Sequence, residues 1–227
     1  MIMCVMPWVM NMEVKNIVVD VVDNDHSPLS QRLVAEIGGS AYFNISGTSD
    51  LAPLDQQADM LLELLPEAQN VGILYCSAEA NSVYQADVVK AALEEKGVTV
   101  TVYTFADSND VATVTQTACA ENDALYIPTD NTAASCTEAI NNVAEPAGVP
   151  IVAGEEGICK GCGIATLSID YYELGKTTGA MAAKILTGEA NVSEMPIEYY
   201  QNPVKKYDVA RCEALGITVP ADYVAIG

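Results

Sequence analysis

VGILYCSAEANSVYQADVVKAALEEKGVTVTVYTF, residues 71–105, decides the fold. Val71–Tyr75 is a short unbroken apolar run, the pattern of a strand buried on both faces. Asn81–Lys96 follows with apolar residues three and four apart, and Gly97 ends it as glycine ends helices. Thr99–Phe105 returns to β-branched and aromatic residues. A strand, a helix and a second strand of these lengths imply a right-handed crossover and a mostly parallel sheet.

The same alternation continues on both sides. Leu54–Leu65 reads as an amphipathic helix stopped by Pro66. Downstream, Ser108–Ala120 reads as a helix that Ser108 caps, Ala124–Ile127 as a strand and Thr132–Ala147 as a helix. Val149–Val152 and Gly163–Ser168 read as strands, Tyr171–Leu186 as a helix, Ile197–Tyr200 as a strand and Val209–Leu215 as a last helix. Upstream, Asn16–Val22 reads as a buried strand, Pro28–Ile37 as a short helix and Tyr42–Ser46 as extended chain. From Leu54 to Ser168 the units make a nearly complete three-layer α/β domain, while the strand and helix before Gly38 have too few partners for a sheet of their own. Residues 1–16, apolar and rich in Met, lack the basic start and small-residue cleavage site of a signal peptide and read as a truncated or miscalled start.

Composition excludes several function classes. The chain has 227 residues, 31 Asp and Glu against 10 Lys and Arg, and a formal net charge of −21. Nucleic-acid binding relies on cations that displace phosphate counterions, so this is not its signature, and an anionic membrane surface is disfavoured on the same ground. A single histidine, His26, rules out a centre built on several. Seven scattered cysteines are not a disulfide framework and pack as small hydrophobes. No run reaches the roughly 20 apolar residues that span a bilayer. Phosphate-loop and nucleophile-elbow motifs are absent, so no catalytic residue, cofactor or metal is assigned. Cys159-Lys160-Gly161-Cys162 is a lone pair of cysteines in what reads as a Gly-rich turn before a strand, a local disulfide or two inert thiols.

Open α/β sheets bind ligands beyond the carboxyl ends of their strands, beside helix N-termini. Three such loops share a chemical style here. Cys76–Ser82 follows the strand VGILY, Pro128–Thr132 follows ALYI, and Ile169–Tyr172 follows IATLS. Helix N-termini favour a carboxylate. Ser77, Asn81, Ser82 and Thr132 add donors, while Asp130 and Asp170 accept from an ammonium group and are expected to point into the crevice. Tyr171 or Tyr172 supplies an aromatic wall, and Glu79, Thr129 and Asn131 complete the candidate set. Ser, Asp, Asn and Thr are also the ordinary N-cap residues, so each loop has a purely structural reading as well.

These loops carry a resemblance. Residues 44–93 (from NISGTSDLAPL to VVKAAL), DALYIPTDNTAAS and IDYYELGKTTGAMAAKILTGE resemble the substrate-binding proteins of ABC transporters that include the tryptophan/tyrosine-type importers. The resemblance runs from about Ile17 to the C-terminus. It implies a type I periplasmic-binding-protein fold, in which two α/β lobes close on a ligand across a hinge of crossing strands. Residues 50–169 would be the C-terminal ligand-binding lobe. Residues 17–49 would be a remnant of the N-terminal lobe with the first crossing, and 170–227 a second crossing, a helix returning to that lobe and a C-terminal segment. The function implied is capture of an aromatic or apolar amino acid for an ABC permease and its ATPase, outside the cytoplasm, with membrane contact only through the permease. A sensory binding domain and a small α/β enzyme are the alternatives. In complete relatives further βα units and a secretion signal would precede the strand matched by Ile17–Val22, so the resemblance reads this chain as truncated at its N-terminus.

Overall fold

The computed structural model describes residues 17–19, 43–45, 53–169, 171–189 and 202–226. The chain divides into two compact units: Met1–Ser49 with Thr178–Glu198, and Asp50–Thr177 with Tyr199–Gly227. In the smaller unit, β1 (Ile17–Val19) pairs in parallel with β2 (Phe43–Ile45). The expected helix Pro28–Ile37 and strand Ile197–Tyr200 lie outside the described residues.

The larger unit is a seven-stranded sheet between two layers of helices. Along the chain come α1 (Leu54–Leu64), β3 (Asn70–Cys76), α2 (Ala80–Glu95), β4 (Thr99–Phe105), α3 (Val111–Glu121) and β5 (Ala124–Ile127). Then follow α4 (Asn131–Ser135), α5 (Thr137–Ala147), β6 (Ile151–Ala153), α6 (Glu156–Cys162) and β7 (Ala165–Ser168). The chain continues with α7 (Tyr171–Leu186), β8 (Val204–Tyr207), α8 (Val209–Ala214) and β9 (Val224–Ala225). The spatial order is β4-β3-β5-β6-β7-β8-β9, parallel except for the β7–β8 pair.

Burial explains the order. β3 is buried at every position after Asn70, and β5, β6 and β7 throughout, so these four strands lie inside the sheet, between the partly exposed β4 and β8. At Gly72 a Cβ would lie 2.6 Å from the Leu125 side chain, so β3 and the β5 layer fit only around glycine. One face packs α1 and α2 through Leu61, Met60, Val89 and Leu93; the other packs α3, α5 and α6 through Ala118, Ile140 and Ile158. Burying a Leu or Ile side chain stabilises by about 1.5–3 kcal/mol. Leu64 closes α1 two residues before Pro66, and Gly148, at φ 68, closes α5.

Four details differ from the sequence reading. The helix expected from Ser108 starts at Val111, because the Asp107 carboxylate takes the Asn109 N–H (2.8 Å) and holds a turn ahead of it. The helix expected over 132–147 is two, α4 and α5, parted at Cys136. Cys159–Cys162 lies within helix α6 rather than in a turn, because the Glu155 carboxylate accepts from the Gly157 (2.6 Å) and Ile158 N–H groups and starts a helix there. Finally, β8 and β9 extend the sheet past β7. β8 reads VKKY, and its lysines reach carboxylates: Lys205 meets Glu63 at 2.6 Å and Asp222 at 3.0 Å, and Lys206 meets Glu156 at 2.6 Å.

Candidate ligand-binding site

From β3 the chain winds outward to β4, then crosses back to β5 on the other side of β3. The winding reverses between β3 and β5. The loops beyond their carboxyl ends meet there, at the position where open parallel sheets bind ligands in a crevice. The candidate loops 77–79 and 128–130 flank it.

The loops are braced to each other across the reversal. Asp130 is the N-cap of α4 and is 1% exposed. One of its oxygens accepts from the Ala133 N–H (2.7 Å), the other from the Cys76 N–H at the end of β3 (2.8 Å). Burial raises this carboxyl above its ordinary value; the two N–H groups oppose the shift, and the Glu79 carboxylate adds to it. Asp130 was expected to offer its carboxylate to an ammonium group; both oxygens are instead committed to backbone inside the lobe. Sequence alone could not separate the two roles, because a capping aspartate and a ligand-facing one occupy the same place at a helix start.

α2 grips the second loop from the side. The Thr129 carbonyl accepts from Asn81 Nδ2 (2.9 Å), Ser82 Oγ (3.3 Å) and Gln85 Nε2 (3.2 Å). The Thr129 N–H donates to Gln85 Oε1 at 3.0 Å. Asn81 and Ser82, expected as carboxylate donors, here spend these donors on the neighbouring loop. Gln85, fully buried, does as much as either and carries no sequence signal beyond its place on the apolar side of a helix. Gly154 belongs to the same brace. Its N–H donates to the Ile127 carbonyl at 2.7 Å, and a Cβ there would stand 2.6 Å from the Thr129 nitrogen.

Glu79 completes the mouth. Its carboxylate accepts from the Asn131 N–H (2.9 Å) and Nδ2 (3.2 Å), and from the Thr132 N–H (2.7 Å) and Oγ1 (2.7 Å). Ser77 is exposed, and its hydroxyl donates to the Phe105 carbonyl at 3.3 Å. Asn131 is exposed and Glu79 half-buried, so a polar, acidic surface faces solvent at the crevice. Tyr172 is 75% exposed, with Lys176 Nζ 5.6 Å from the centre of its ring. Asp170 lies outside the described residues; Tyr171 opens α7.

Other chemistry-bearing groups are enclosed. Tyr126 is fully buried, donates to Gln57 Oε1 and is held far above its ordinary pKa by burial. Cys159 and Cys162 are free thiols buried in α6; burial pushes Cys162 up to about 12 and Cys159 further. Among the described residues no group of three or more His, Cys, Asp or Glu is placed to hold a metal ion, and no helix is long and apolar enough to cross a membrane. A cavity of about 350 Å³ lies at the opposite end of the sheet, with Val149, Ile151, Ile164 and Arg211 in its wall. Arg211 is already engaged there, donating to Asp208 (3.0 Å) and to the carbonyls of Lys160 (3.2 Å) and Gly161 (2.8 Å).

A mostly parallel seven-stranded sheet, wound both ways from β3 and covered by helices on both faces, is the architecture of a type I periplasmic-binding-protein lobe. The chain belongs to the ABC transporter substrate binding protein family, whose model matches residues 10–224. It is 31% identical over 154 residues, 68% of this chain and 44% of the relative, to a tyrosine-binding protein of Clostridioides difficile. Among solved structures it is similar to an ABC domain from Streptococcus pneumonia in complex with L-Trp, at 29% identity and a TM-score of 0.66, covering 74% of this chain and 57% of that one. A conserved domain protein of Vibrio cholerae gives 29% and 0.70, covering 80% and 62%. The ligand-free, open structure of a Clostridium difficile substrate binding protein with adhesive properties gives 29% and 0.67, covering 86% and 68%. The chain thus spans less than half the length of the curated relative it matches.

Proposed function

We propose that the protein captures a small ligand, an aromatic or apolar amino acid, in a crevice beyond β3 and β5 and delivers it to an ABC permease and its ATPase outside the cytoplasm. Binding and release, coupled to closure of two lobes, would be the whole of its activity. The observation that carries this reading is the mouth of the crevice, where the Glu79 carboxylate and the exposed Ser77 and Asn131 present polar groups over a floor that Asp130 locks. Family membership supports it, as do relatives described with tryptophan and tyrosine.

In this reading the residues divide into two tiers. Ser77, Glu79, Asn131 and Thr132 meet the polar end of the ligand, with Asp170 and Tyr171 completing the set from the end of β7. Asn81, Ser82, Thr129 and Asp130 hold those groups in position. An ammonium group held by a carboxylate is a charge-assisted pair worth about 1.5–3 kcal/mol. Thermal-shift measurements across the common amino acids test the proposal. Stabilisation by L-tryptophan or L-tyrosine and not by L-lysine is expected, because the side-chain ammonium of lysine would have to stand where this reading places an aromatic or apolar group. No shift with any amino acid would refute it.

A further inference from the structure

β4 is the first strand in the sheet order and seven residues long, TVTVYTF over Thr99–Phe105. It bonds β3 along its whole length, and its outer edge is unpaired among the described residues. Proteins protect such edges with lysine, proline, bulges or very short strands. β4 has none of these: it carries no charge, no proline and no glycine, and its register with β3 is continuous from Asn70↔Thr99 to Cys76↔Phe105.

The direction of its backbone groups follows from two bonds. The Thr99 N–H donates to the Gln69 carbonyl at 2.8 Å, and the Phe105 carbonyl accepts from the Ser77 N–H at 3.0 Å. In a parallel ladder alternate residues carry the bonds to a given neighbour. Thr99, Thr101, Tyr103 and Phe105 therefore face β3, and Val100, Val102 and Thr104 turn their N–H and C=O groups outward. These three are spaced evenly about Val102, the midpoint of the strand. Val102 is 37% exposed, and Thr99, Thr101 and Thr104 are exposed beside it.

We infer that this edge is an interface for a second copy of the chain, joined by antiparallel pairing of β4 with β4 about a two-fold axis at Val102. The axis sets Val102 opposite its own symmetry mate and Val100 opposite Thr104, so every outward N–H and C=O finds a partner. No other register of two identical strands satisfies them all. A two-fold interface of this type is self-complementary and closed. On one face the pairs are Val102 with Val102 and Val100 with Thr104; on the other, Thr101 meets Tyr103 and Thr99 meets Phe105, all uncharged. A net charge of −21 on each copy opposes the association, so salt must strengthen it by screening.

Sedimentation equilibrium of the chain at low and high salt, with hydrogen exchange read at several protein concentrations, tests the interface. A reversible dimer is expected, tighter in salt, in which protection of the Val100, Val102 and Thr104 amides rises with concentration. Val102→Pro removes an outward N–H without touching the ladder to β3, and Thr104→Lys adds charge to the edge; each should weaken the dimer about tenfold or more while leaving the circular dichroism unchanged. A monomer at every salt and concentration would overturn the inference. So would a dimer that neither variant weakens, or one in which those amides gain no protection.

Discussion

Two carboxylate clusters sit at the carboxyl end of the same sheet and are stabilised in opposite ways. Beyond β3 and β5, Asp130 and Glu79 are held by neutral N–H and O–H groups, with no lysine or arginine among the partners found for them. Beyond β6, Glu156 is held by the ammonium groups of Lys206 at 2.6 Å and Lys160 at 3.0 Å, and by the Ser168 hydroxyl at 3.1 Å. Burial leaves the Asp130 carboxyl raised, whereas Lys206 foremost draws Glu156 down to about 2. Acid therefore acts in opposite directions at the two. A folded-state value above the unfolded one makes ionisation oppose folding; a depressed value makes ionisation favour it. The contrast separates carboxylates held by neutral donors from one whose charge is already neutralised by ammonium groups.

The largest effect should come from the brace. Asp130→Ala removes an N-cap and strands the Cys76 N–H in the interior, so unfolding free energy should fall by about 2–3 kcal/mol. Urea denaturation measures it, and a loss below about 0.5 kcal/mol would mean that the brace does not hold the crevice. At the ion-paired cluster, Glu156→Gln should cost about 0.5–1 kcal/mol at neutral pH, as partly exposed pairs do. Its signature is the pH profile. The stabilisation from Glu156 is complete above its ordinary value of 4.5 and is lost as pH falls toward about 2, so the variant should flatten the curve in that window. An unchanged acid profile would break the distinction between the clusters.

Smaller still is Glu79→Gln. The amide keeps one acceptor oxygen for the start of α4 but loses the charge that favours a helix N-terminus, for about 0.3–1 kcal/mol. Binding should suffer more than stability, which sharpens the division between residues that face a ligand and residues that hold the floor. The smallest effect is chemical. With its thiol pushed up to about 12, Cys162 should resist alkylation at pH 8 until the protein unfolds, whereas half-buried Cys119, its thiol also raised by burial, should react before Cys162. Mass spectrometry after brief labelling distinguishes them.

The fold was legible where burial is two-sided. β3, β5 and β6 carry unbroken apolar runs because helices cover both their faces. It was illegible where side chains and backbone trade roles. VKKY does not look like a strand until Glu63, Asp222 and Glu156 are seen to take its lysines. Glycines and cysteines around Cys159–Cys162 hid a helix whose one signal was the capping Glu155. At the site, strand ends and residue types single out the candidate loops, but not the hydrogen bonds that tie them together. Asp130 accepts from the Cys76 N–H and Asn81 donates to the Thr129 carbonyl, partners distant in sequence that no local pattern announces.

The central claim is that the crevice at the winding reversal takes the ligand. Hydrogen exchange with and without saturating L-tryptophan or L-tyrosine tests it most directly. The account predicts added protection in residues 77–82 and 128–133 with little change around the α5–α8 cavity. Protection confined to that cavity, or no ligand-dependent protection at either place, would contradict it.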